Sequence, residues 1–138
     1  MEKKYYVDTA IWRDLHENRT DKFRPLGEWA FEFFKKVLDD EKKILYSDLV
    51  IKELSGHFDI KTINNILNIA SGRELLEKVE INKNQTKEAF EIKKKLNVPF
   101  GDALHAILAR DNNAVMVTRD KHFLEFDFVA VKKPEELI

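Results

Sequence analysis

Three short apolar runs constrain this chain more than any other feature: KYYVD at 4–8, ILYS at 44–47 and AVMVT at 114–118. Each is too short for a stable helix, and none alternates strictly between apolar and polar residues. They read as strands buried on both faces. Helical patterns separate them. Thr9 can cap a helix over 10–17, and 18–24 is a polar loop. Pro25 then opens a helix with Leu26, Trp29, Ala30, Phe33, Val37 and Leu38 on one side. Ser47 is a plausible cap for DLVIKEL at 48–54. A helix over 59–71 presents Ile60, Ile63, Ile66, Leu67 and Ala70. A third strand is placed around 75–81, a Lys-rich helix at 86–96, a helix from about Asp102, a last strand at 126–131 (FDFVAV) and a tail helix started by Pro134. Strands alternating with helices predict an α/β fold: a parallel sheet with helices on both faces.

At 138 residues the chain fits one domain spanning 1–138. It is 43% hydrophobic and 36% charged, which argues for a globular and not a disordered chain. No apolar run approaches the roughly 18 residues of a membrane span, and no signal-peptide pattern follows Met1. Without cysteine there are no disulfides, no cysteine–zinc sites and no thiol nucleophile. A cytoplasmic location is the natural expectation. The net charge of −1 advertises no polyanion globally, so any nucleic-acid binding would depend on local charge.

In parallel sheets ligands bind beyond the carboxyl ends of the strands. Asp8 ends the first strand, Asp120 lies just past the strand ending at Thr118, Asp102 starts a helix, and Glu53 sits in the helix after the second strand. On a wheel of about 100° per residue, with Leu49 at zero, Glu53 falls near 40°, between Leu49 and Val50. It lies at the rim of the buried arc and should have a partner, because an unpaired buried carboxylate is costly. Asp102, at a helix start, should be held ionised by the helix dipole, and Ala103, Ala106 and Ala109 let another element approach. Taken singly, each acid can be read as a cap, a turn residue or a peripheral ion pair. Jointly, acids clustered at one edge repel unless cations neutralise them. An all-oxygen set suits Mg²⁺ or Mn²⁺, ions that often serve phosphoryl chemistry.

The blocks YYVDT, LVIKEL, PFGDALHAILA and VTRDKHF, around Asp8, Glu53, Asp102 and Asp120, resemble the PIN-domain family in its small VapC-like form. Their order and spacing fit from residue 5 to about 131, and Phe123 also fits. The resemblance implies a three-layer α/β/α sandwich with a mostly parallel five-stranded sheet in the order 3-2-1-4-5. It implies a Mg²⁺- or Mn²⁺-dependent endoribonuclease whose Asp8, Glu53, Asp102 and Asp120 hold the metal. Thr118 resembles the family's hydroxyl residue beside the fourth acid. A homodimer and a cognate antitoxin partner are further implications, and related domains also act in RNA processing.

Other residues carry weaker signals. His105, three residues after Asp102 on the same helix side, reads as a packing residue, with support of Asp102 by a hydrogen bond as the alternative. His57 reads as a structural histidine at a helix end, with a ligand or base role as the alternative, and His122 as exposed. Arg119 and Lys121 flank Asp120 and could meet RNA phosphates, with a solvated turn as the alternative. Lys93–Lys95 reads as a solvated face, and the Trp29–Phe33 helix as core or dimer surface. A non-catalytic PIN-fold module binding RNA or protein is a second reading. A receiver or an aspartyl phosphatase fits poorly, because Asp-Thr-Ala follows the first strand in place of paired acids.

Overall fold

The computed structural model describes residues 3–71 and 74–138, with backbone only at 70 and 71. Five strands, β1 (Lys4–Val7), β2 (Lys43–Tyr46), β3 (Leu76–Lys78), β4 (Val115–Val117) and β5 (Val131–Lys132), form one sheet in the order 3-2-1-4-5. Every pairing is parallel. The helices are α1 (Thr9–Glu17), α2 (Leu26–Asp39), α3 (Asp48–Leu54), α4 (Ile60–Ser71), α5 (Lys83–Leu96) and α6 (Phe100–Asp111). Right-handed connections place the helices that link β1 to β2 and β2 to β3 on one face, and α5 with α6 on the other. The sheet core is correspondingly dry: Tyr6, Val7, Ile44, Leu45, Met116 and Val117 are at most 1% exposed. Among the described residues no helix is long and apolar enough to cross a membrane.

Several boundaries differ from the sequence reading. Thr9 does not cap α1 but is its first residue, and Asp8 holds the cap position without a side-chain cap bond. Helix α5 starts at Lys83, before the expected 86, because Asn82 and Gln85 form a reciprocal capping box that satisfies two otherwise unpaired N–H groups. Helix α6 starts at Phe100, with Pro99 in the cap position, so Asp102 sits within its first turn. The last strand is only Val131–Lys132, with the Ala130 carbonyl accepting the Met116 N–H just before it, while 127–129 turn, because β4 offers just three residues to pair with. The side chain of Ala70, expected on the buried side of α4, lies outside the described residues.

The strand order reverses at β1, flanked by β2 and β4. This is the switch point at which parallel sheets open a crevice. The register pairs Val7 with Val117, so Asp8 and Thr118 leave the sheet side by side, tied by the Asp8 N–H to the Val117 carbonyl at 2.9 Å.

Candidate metal centre at the carboxyl edge

Asp8, Glu53, Asp102 and Asp120 line one open depression of about 340 Å³, together with Thr9, Arg13 and His57. Residues from four separate segments thus converge. Ligand atoms of Asp8, Glu53 and His105 lie within 4.8 Å of one another, and so do those of Asp102, Asp120 and His122.

Each carboxylate is held by one oxygen. Thr118 Oγ1 donates to Asp8 Oδ2 at 2.7 Å. Glu53 Oε1 accepts from Thr9 Oγ1 at 2.6 Å and pairs with His105 Nε2 at 2.7 Å. Asp102 Oδ2 lies 3.0 Å from His122 Nδ1. Asp120 Oδ1 accepts the His122 backbone N–H at 2.9 Å. Among the described residues, the second oxygen of each has no protein donor. Four anchored carboxylates, each with one spare oxygen, form the donor set a hard divalent cation takes. The residues fit Mg²⁺ or Mn²⁺.

The chain matches the PIN domain family over residues 5–129. It is a member of that family. No curated protein matches it in sequence. Its fold is similar to a chain of VapBC2 from Rickettsia felis, a structure bound to a DNA fragment from the promoter, with 19% identity, a TM-score of 0.69 and coverage of 94% of this chain and 98% of that one. It is also similar to a chain of VapBC-1 from nontypeable Haemophilus influenzae (18%, TM-score 0.65, 95% and 98%) and to PAE2754 from Pyrobaculum aerophilum (18%, TM-score 0.55, 95% and 92%). PIN domains are generally nucleases.

Behind the acids of this PIN domain runs a buried hydrogen-bonded chain. Tyr6 Oη lies 2.7 Å from both Ser47 Oγ and His105 Nδ1, and the other ring nitrogen of His105 meets Glu53. Tyr6, Ser47 and His105 are at most 1% exposed. With Nε2–H donating to Glu53, the neutral ring accepts the Tyr6 hydroxyl, Tyr6 accepts Ser47, and Ser47 Oγ accepts the Leu49 N–H at 3.2 Å as the cap of α3. His105 therefore serves Glu53, and is neither a plain packing residue nor the support of Asp102. The sequence offered only its neighbour within the helix, whereas packing brings α3 across to it. Gly101 completes the fit, since a Cβ there would meet Glu53 Oε2 at 3.0 Å.

Electrostatics follow from this placement. Burial pushes Asp8 above the usual carboxylate range, although His105 and Thr118 oppose it. Burial also raises Asp102, to about 6, with the charges of Asp120 and Asp8 adding to the rise and His122 opposing it. The expectation that its helix start lowers the Asp102 pKa is therefore not met, because desolvation and like charge raise it, although the carboxyl still loses its proton above about pH 6. Burial acts upward on Glu53 too, but the His105 and Thr9 bonds outweigh it and hold Glu53 low. For His105, burial disfavours the cation, yet Glu53 and Asp8 raise it overall.

Two further residues are placed differently from the sequence reading. His122 is exposed as expected, but it bridges Asp102 and Asp120, 3.3 Å from the latter, and its pKa is raised by its bond to Asp102. Its position two residues after Asp120 was the available signal. Arg119, expected to face phosphates, turns inward. Its NH1 donates to Glu135 at 2.8 Å, its Nε lies 3.7 Å from Asp14, and its guanidinium sits over Trp29. With 14% of its side chain exposed, it ties the tail to α1 and α2. Lys121 stays exposed, and so does His57, whose Nε2 lies 3.2 Å from Arg13 NH1.

Proposed function

We propose that this PIN domain, a single domain over 1–138, is a Mg²⁺- or Mn²⁺-dependent endoribonuclease, the toxin of a toxin–antitoxin pair acting in the cytoplasm as a homodimer. The observation that carries the hydrolytic reading is the set of four anchored carboxylates, each with one oxygen free of protein donors. Asp8, Glu53, Asp102 and Asp120 would hold the ion. When bound, it supplies charge neutralisation for a phosphodiester and lowers the pKa of an attacking water. Thr118 fixes Asp8, while Thr9 and His105 fix Glu53, so the site loses little orientational freedom on loading. His122, spanning Asp102 and Asp120, holds the exposed side of the cluster together. The toxin role and an antitoxin partner are supported by similarity in fold to chains from VapBC complexes.

The test is cleavage of labelled RNA by purified protein with Mg²⁺ or Mn²⁺. Wild type should cut. Asp8→Asn and Asp102→Asn should each lose at least ~100-fold in rate while keeping the wild-type circular dichroism spectrum. No cleavage of varied RNAs with either ion would overturn the hydrolytic reading. RNA retention unaffected by both substitutions would favour a binding module.

A further inference from the structure

A second depression adjoins the acids. It is a cleft of about 210 Å³ at the β5 edge, and Asp120 lines both it and the metal centre. Lys121, Lys132 and Lys133 line it, all exposed, and none forms an ion pair with a carboxylate among the described residues. Arg24 is also present but is paired with Asp21. Glu136, which also lines the cleft, has Oε1 engaged by the Lys133 backbone N–H at 2.9 Å. In a chain of net charge −1, this is a local concentration of positive charge running up to an acid cluster.

That juxtaposition has a physical purpose. A cation held by the carboxylates neutralises charge at one phosphate only. The neighbouring phosphates of a polynucleotide would still face four acids, and their approach needs positive charge close by. We propose that the cleft bearing Lys121, Lys132 and Lys133 takes the phosphate backbone of single-stranded RNA on one side of the bond presented to the carboxylates. This rests on the reading of the acid cluster as a ribonuclease site. Lysine at a sheet edge also discourages strand pairing, and that role would account for Lys132. It does not account for Lys121, which lies in the turn after Asp120, or for Lys133, which follows the strand.

The experiment compares two triple variants with equal charge change. K121Q/K132Q/K133Q empties the cleft of its lysines, and K93Q/K94Q/K95Q does the same on α5. Fluorescence anisotropy of a labelled single-stranded RNA of roughly 12 nucleotides is measured in EDTA, so that nothing is cut, from about 50 to 300 mM KCl. Loss of three phosphate contacts should lower the slope of log affinity against log salt by about 2, and the single variant K121Q should lower it by about 0.7. The α5 triple should keep the wild-type slope. Single-stranded DNA of the same sequence should show the same dependence on the cleft lysines, because the contacts are to phosphate. Equal effects of the two triples, or no effect of the cleft triple, would overturn the proposal. Binding of a poly-glutamate peptide through these lysines without RNA binding would also overturn it, in favour of an acidic protein partner. If wild type binds RNA through the cleft yet cuts none with Mn²⁺ or Mg²⁺, the ribonuclease reading fails and the cleft stands. If wild type cuts RNA and the cleft triple binds and cuts equally well, the cleft fails and the ribonuclease reading stands.

Discussion

Tyr6→Phe removes one oxygen from the buried chain that supports Glu53. The phenol is fully buried and links Ser47 to His105, at 2.7 Å to each. Phenylalanine fills the same volume, so no cavity forms. What is lost is the partner of a buried imidazole nitrogen and of a buried hydroxyl. Leaving a buried polar group unsatisfied costs about 1–3 kcal/mol; Ser47 retains its bond from Leu49, so roughly 2 kcal/mol is expected for the pair. At about 2.1 cal/mol/K per residue, the chain unfolds with an entropy near 0.3 kcal/mol/K, so Tm should fall by about 7 °C. The assay is thermal melting in EDTA, which excludes stabilisation by metal. Tyr5→Phe is the control: Tyr5 sits on the same strand, and its hydroxyl has no hydrogen bond among the described residues, so its Tm should move by less than about 2 °C. If Tyr6→Phe melts with the control, the buried chain contributes nothing and its role in fixing Glu53 falls.

Other outcomes follow from the same geometry. The Asp102 carboxyl, raised to about 6, must lose its proton to accept an ion. Mn²⁺ affinity measured by calorimetry should therefore rise with pH up to about 6 and level off above it; a flat profile from pH 5 upward would contradict this. Gly101→Ala should act with opposite signs: a helical alanine adds about 0.5–1 kcal/mol of stability, while its Cβ displaces Glu53 and weakens Mn²⁺ binding severalfold. A variant both more stable and unchanged in affinity would refute the close approach. Arg119→Ala leaves Glu135 without its bonded cation and Asp14 with Arg19 alone, and should cost about 2 kcal/mol in denaturant unfolding, with lysine a poor substitute. A loss under about 0.5 kcal/mol would show that Arg119 is a surface residue in energetic terms.

The sheet was legible because its strands are buried on both faces, which leaves apolar runs such as ILYS and AVMVT standing between helical patterns. Where apolar content and pairing part company, the pattern misleads: FDFVAV looks like a strand, yet only its end reaches the short β4, Ala130 through its carbonyl and Val131 in register. Local capping chemistry is legible at Ser47, and the Asn82–Gln85 pair carries the same kind of signal. The convergence of the four acids follows from one rule about strand ends, and all four line one depression. The side chains between them did not follow. His105 reaches Glu53 across 52 residues, and Thr118 reaches Asp8 across 110, so no spacing reveals either bond. Arg119 and Lys121 are equivalent in sequence, flanking the same acid, but one turns into Glu135 and Trp29 and the other into solvent.

If Asp8, Glu53, Asp102 and Asp120 form one divalent-cation centre, an ion should be seen among them. The most direct measurement is anomalous diffraction from crystals soaked in Mn²⁺ above pH 7, where Asp102 is ionised. The expected result is a peak among the four carboxylates, at roughly 2.1–2.2 Å from oxygens that have no protein donor here. A Mn²⁺-soaked crystal with no peak in that depression would contradict the account.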